Sequence, residues 1–105
     1  MVAPGPGRVR LEFVPWLTQP FGHEGGSRLV LEEDVGGPVS LGDYLASLAG
    51  KYPAISTVIL DLEAGRLFEH VNVVHNDTLL GSHAALEARV AAGDSLVFLP
   101  AFSGG

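Results

Sequence analysis

Residues 92–105 read Ala92-Gly93-Asp94-Ser95-Leu96-Val97-Phe98-Leu99-Pro100-Ala101-Phe102-Ser103-Gly104-Gly105. Gly93-Asp94 is a turn pair, and the mostly apolar run after it is closed by Pro100, which cannot extend a ladder. The stretch predicts a final strand over Ser95–Leu99 followed by a short tail. No residue from 95 to 105 carries a charged side chain.

Working back from there, Val71-Asn72-Val73-Val74-His75 reads as a strand ended by the turn pair Asn76-Asp77. Thr78-Leu79-Leu80 reads as a brief edge strand, and Ala84 to Val90 as one or two helical turns. Near the start, Arg8 to Val14 alternates polar and apolar residues, the period of a half-buried strand, until Pro15 ends it. Trp16 to Arg28 holds Pro20, Gly22, Gly25, Gly26 and Ser27 and reads as a loop. Leu29 to Glu33 is a second strand, so the two make a hairpin with a long connection.

Between these ends lies one helix. Ser40 is placed to cap it, with Asp43 three residues on and negative charge in the first turn. Leu41, Leu45, Leu48 and Tyr52 form one apolar stripe, and Pro53 stops it. Ile55 to Leu62 fits either a helical face or a strand; a short helix is the expectation, with Ala64-Gly65 as a turn. The order is strand, strand, helix, irregular, strand, short strand, short helix, strand. A hairpin, a helix across it and further strands make an α+β layer arrangement. This is the order of the β-grasp (ubiquitin-like) fold, a mixed sheet of four to five strands packed on one main helix. That fold implies that the first and last strands lie parallel in the middle of the sheet.

The chain has 105 residues, no Cys and a formal net charge of -6. That is one domain's length. The expected division is a flexible tail over 1–7, a domain over 8–100 and a flexible tail over 101–105. Without Cys there is no disulfide scaffold, thiolate metal site or cysteine nucleophile. The acidic balance and five scattered arginines disfavour direct nucleic-acid binding. No apolar run approaches a membrane span, and the first residues lack the regions of a signal peptide. The expectation is a cytoplasmic protein with no membrane partner and no cofactor. His23, Glu24, His70, His75 and His83 show no metal-ligand spacing, so no metal site is expected. Ser27, Ser82 and Ser103 lack a nucleophile elbow, and Gly25-Gly26 and Gly36-Gly37 lack the lysine of a phosphate loop. Trp16 reads as a packing aromatic.

Val71 to Asp77, Leu79-Leu80-Gly81, Ala92 to Pro100 and the final Ser103-Gly104-Gly105 together resemble the MoaD/ThiS family of ubiquitin-like sulfur carriers. The helix between Val39 and Pro53, with its leucine spacing and closing Tyr-Pro, is similar to the family's first helix. The long Trp16–Arg28 loop departs from it. The resemblance implies that Gly105 carries the functional carboxylate, adenylated by an E1-like activating enzyme and converted to a thiocarboxylate. It implies a sulfur-accepting partner such as a molybdopterin synthase large subunit, with tRNA thiolation or cysteine synthesis as other destinations. Two alternatives stand beside it: a modifier joined through Gly105 to target lysines, and an interaction module without tail chemistry.

The tail suits such a reaction. Gly104 and Gly105 allow close backbone approach, and Pro100 biases the exit from the sheet toward an extended path. Ala101, Phe102 and Ser103 complete an uncharged segment. Likeness to ubiquitin places Leu96, Phe98, Val71 and Val73 inside. Val74, Val97 and Leu99 then form an outer apolar patch that binds a partner, unless the chain's own loop covers it through Trp16 or Phe21.

Overall fold

The computed structural model describes residues 7–14, 28–80 and 85–100. The expected Trp16–Arg28 loop (apart from Arg28), residues 1–6, Ala84 and the tail from Ala101 to Gly105 lie outside the described residues.

Five strands make the main sheet: β1 (Arg8–Phe13), β2 (Leu29–Asp34), β6 (Val71–His75), β7 (Thr78–Leu80) and β9 (Ser95–Pro100), in the order β2-β1-β9-β6-β7. Two-stranded ribbons join β3 (Val39–Ser40) to β8 (Arg89–Val90) and β4 (Leu60–Asp61) to β5 (Arg66–Leu67). In the main sheet β1 and β9 run parallel, with Leu11 opposite Leu96 and Phe13 opposite Phe98. The other pairs are antiparallel. One helix, α1 (Leu41–Ala49), packs on the sheet. This is a β-grasp, ubiquitin-like fold. Among the described residues no helix is long and apolar enough to cross a membrane.

Period-two alternation decides which face is buried. Val9, Leu11 and Phe13 of β1, Leu96 and Phe98 of β9, and Val71 and Val73 of β6 are buried against α1. Phe13 and Phe98 stack with centroids 4.8 Å apart. From the helix come Leu41, Tyr44, Leu45 and Leu48. Each large apolar side chain buried here contributes about 1.5–3 kcal/mol relative to exposure.

The first turn of α1 has no free donors to spare. Ser40 Oγ accepts from the Asp43 N–H at 3.2 Å. The segment after Ala85 supplies two carbonyls, Ala88 O to the Leu41 N–H at 2.8 Å and Leu86 O to the Gly42 N–H at 3.0 Å. These satisfy helix-end groups that otherwise have no intrahelical partner. A Cβ on Gly42 would stand 3.3 Å from Leu86 Cβ, so a small residue suits this approach.

Three sequence expectations are corrected. The helix ends at Ala49 rather than reaching Tyr52, because Pro53 disfavours helical backbone at Tyr52 and the chain tightens. The Lys51 and Tyr52 N–H groups both turn back to Leu48 O. Ile55 to Leu62 is a single wide π-helical turn, Ile55–Ile59, that passes into β4, with Gly65 at φ 67° turning the hairpin to β5. Arg89 and Val90 are strand rather than helix, since β-branched Val90 is fully buried opposite Val39.

Candidate functional site

Strand β9 sits in the centre of the sheet, and its last residue is the point from which the tail departs. Pairing with β1 ends at Phe98, whose carbonyl accepts from the Val14 N–H at 3.1 Å. Pairing with β6 runs on to Pro100, opposite Val71. Pro100 has no N–H to give, so it ends the ladder there. Its successors Ala101, Phe102, Ser103, Gly104 and Gly105 lie outside the described residues.

On the face away from α1, register sets out one row across all five strands. Val30 lies opposite Glu12, Glu12 opposite Val97, Val97 opposite Val74, and Val74 opposite Leu79. Leu99 lies one row nearer the tail, opposite Asn72. Val74, Val97 and Leu99 are half-buried on this outer face, whereas Leu96, Phe98, Val71 and Val73 are inside. The structure therefore brings Val74 and Val97 into direct cross-strand contact range and sets Leu99 beside them. Leu79 extends the patch at 63% exposure, and Val30, 41% exposed, stands at the opposite edge. Leu79 was missed in the sequence. The two-residue turn Asn76-Asp77 carries the signal: it pairs His75 with Thr78, which puts Leu79 opposite Val74.

The half of this face on β1 and β2 is charged. Glu12 is met by Arg10 at 2.9 Å and by Arg28 at 3.2 Å, and Arg8 pairs with Asp34 at 3.4 Å. The face is thus an apolar half beside the tail exit and a paired-charge half beyond it.

The end of the sheet remote from the tail is pinned by a polar cluster. His75 Nε2 donates to Asp94 Oδ2 at 2.8 Å, and the Ala91 N–H donates to the same oxygen at 2.9 Å. Asn76 Oδ1 accepts from the Ser95 N–H at 2.8 Å. Burial pushes the Asp94 carboxyl up, but the bonds from His75, Ala91 and Asn76 outweigh it and hold the group below its ordinary range. His70 donates instead to the Val58 carbonyl at 2.9 Å. Both histidines thus brace turns. His23 and His83 lie outside the described residues.

A second cluster ties the end of α1 to β2. The Glu33 carboxylate accepts from Lys51 Nζ and from the Tyr52 hydroxyl. Burial raises the Glu33 carboxyl, and those two bonds with the charges of Lys51 and Arg8 bring it below its ordinary value. Tyr44, whose hydroxyl sits against the Glu33 and Asp34 carbonyls, is pushed up to about 12 by burial and by the charges of Glu33 and Asp34.

Known proteins share this framework. The model of the ThiS family matches residues 26–105. Small archaeal modifier protein 1 of Haloferax volcanii is 41% identical over 80 residues, covering 76% of this chain and 85% of the relative. Its crystal structure superposes with a TM-score of 0.67 at 34% identity, over 94% of this chain and 100% of that one. The sulfur carrier protein CysO of Mycobacterium tuberculosis is 32% identical over 93 residues, 88% of this chain and 94% of the relative. In the crystal structure of the Amycolatopsis orientalis BexX/CysO complex, the matching chain gives a TM-score of 0.65 at 26% identity, over 92% of this chain and 99% of that one. The chain therefore belongs to the ThiS family and is a ubiquitin-like small protein of the sulfur carrier and modifier class.

Proposed function

We propose that this protein carries sulfur on its last residue. Gly105 is adenylated by an E1-like activating enzyme, and its carboxyl group then becomes a thiocarboxylate that an acceptor enzyme draws on. The observation that supports this most is that the family match runs through Gly105, five residues beyond a central strand that ends at Pro100. A carboxylate is a poor electrophile; joining it to adenylate provides a leaving group that sulfide or an amine can displace. Ala101, Phe102, Ser103 and Gly104 form the uncharged lead to that carboxyl, so only the terminal group has to be desolvated in a nucleotide site.

Val74, Val97 and Leu99 are the proposed docking patch for the activating enzyme, since an apolar cluster beside a reacting tail gives a partner both grip and direction. Leu79 widens it. The proposed sulfur acceptor is of the molybdopterin synthase large-subunit type; enzymes of tRNA thiolation or cysteine synthesis would use the same donor. Attachment to target lysines is a second reading, favoured by the 41% identity to a protein named as a modifier.

Intact mass after incubation with ATP, an activating enzyme and a sulfide source tests the proposal. Exchange of one oxygen for sulfur at Gly105 is expected. A chain lacking Gly104 and Gly105 should keep its thermal unfolding profile and show no exchange; normal thiocarboxylate formation by that shortened chain would falsify the role of the tail. Gly105-linked conjugates on a denaturing gel, without sulfur exchange, would move the assignment to the modifier.

A further inference from the structure

Lys51 is the sole lysine in the sequence. It follows the last turn of α1, and Nζ donates to both carboxylate oxygens of Glu33, at 2.9 Å to Oε1 and 3.2 Å to Oε2. It also stands 5.5 Å from the centroid of the Tyr52 ring. Glu33 is itself fixed: its side chain lies on the helix side of β2 with only 12% exposed, and the Tyr52 hydroxyl donates to Oε2. Tyr44 lies against the Glu33 and Asp34 carbonyls, and Arg8 on β1 pairs with Asp34. The Lys51 side chain is 63% exposed, so reagents can reach it.

We propose that the fold disfavours acyl transfer to its only lysine by engaging Lys51 Nζ on both oxygens of the Glu33 carboxylate, so that an activated copy of this chain links to a second copy through Lys51 more slowly than to a free lysine. The purpose rests on the carrier reading given above; the reactivity of Lys51 does not. Aminolysis of an acyl adenylate needs a neutral amine. Its lone pair attacks the Gly105 carbonyl carbon, the C–N bond forms, the C–O bond to the adenylate breaks, AMP leaves with that electron pair, and the nitrogen's proton passes to water. An ammonium has no lone pair to offer. The hydrogen bond to Glu33, ahead of that carboxylate's charge, holds Lys51 above the ordinary lysine range. A lysine without this carboxylate keeps the larger neutral fraction and reacts faster.

The probe is N-hydroxysuccinimidyl acetate at limiting dose and mildly alkaline pH, with acetylation of Lys51 in the full chain followed by peptide mapping. Lys51 should react on the order of two- to five-fold more slowly in the folded protein than in urea, the range an exposed ion pair can impose. Glu33→Gln should remove most of that protection. Glu33→Asp, one methylene shorter, draws the carboxylate back from Nζ, should remove part of it and serves if Glu33→Gln does not fold. Equal rates in the folded and urea-unfolded wild type overturn the proposal, as does an unchanged rate in a folded variant. The carrier reading has its own readout, the mass change at Gly105, and stands or falls separately.

Discussion

Replacing Val97 with Asp separates the two faces of the sheet. Val97 stands between Glu12 on β1 and Val74 on β6. The change loses an apolar cross-strand pair, worth roughly 0.2–1 kcal/mol, and sets a like charge opposite Glu12, a penalty of about the same size. Arg10 and Arg28 already surround Glu12 and offset part of that repulsion. The sum is at most about 2 kcal/mol, well inside the ~5–15 kcal/mol of a small domain. Urea unfolding should therefore show a modest loss with an unchanged slope. At Leu96 or Phe98, both fully buried, the same carboxylate would be left without partners, a cost of several kcal/mol that exceeds the outer-face effect. The second measurement is the affinity for an activating enzyme, which should fall by more than ~1 kcal/mol if Val97 belongs to the docking surface. A Val97→Asp protein that fails to fold would place Val97 inside and overturn the register. One that folds and binds like the wild type would remove the docking patch.

Leu45→Ala should cost about 2–5 kcal/mol by urea unfolding, since Leu45 is fully buried on the core face of α1; a loss under ~0.5 kcal/mol would mean the helix does not pack there. Acid should weaken the fold in a definite sense. Glu33 and Asp94 both titrate below their ordinary values in the folded chain, so their contribution is complete above the unfolded carboxylate range and is lost as pH falls through the folded values. The drop in urea midpoint from neutral pH to about pH 3 should be smaller in Glu33→Gln than in the wild type, and an equal drop in both would refute the role of Glu33.

Local signals made much of this readable in advance. Asn76 and Asp77 both take positive φ, 47° and 71°, in the turn their residue types announce. Ser40 caps α1 as its spacing from Asp43 suggests. The outer placement of Val74, Val97 and Leu99 follows from alternation alone once one neighbour is known to be inside. The elements that escaped are too short to show a period: β3 and β8 have two residues each and exist because they pair with one another. Ile55, Val58, Ile59 and Leu62 carry an α-like spacing, yet the local winding is wider and the chain leaves it for a strand. The parallel neighbours β1 and β9 came from likeness to a known fold, because no local pattern joins residues 8–13 to residues 95–100. Glu33 and Lys51 meet only because the chain after α1 returns to the side of β2, a contact 18 residues apart that no motif marks.

The central place of β9 has a consequence for how the chain comes to be folded. Until residues 95–100 are available, β2 with β1 and β6 with β7 are separate antiparallel hairpins with nothing between them. Isolated two-stranded hairpins are marginal in water. Joining β1 to β9 closes a loop of most of the chain, the kind of distant pairing that slows folding because its entropy is lost before its contacts form. During synthesis, then, the core cannot close before Pro100 has emerged. A chain cut short before β9 is left as unpaired hairpins, open to proteolysis.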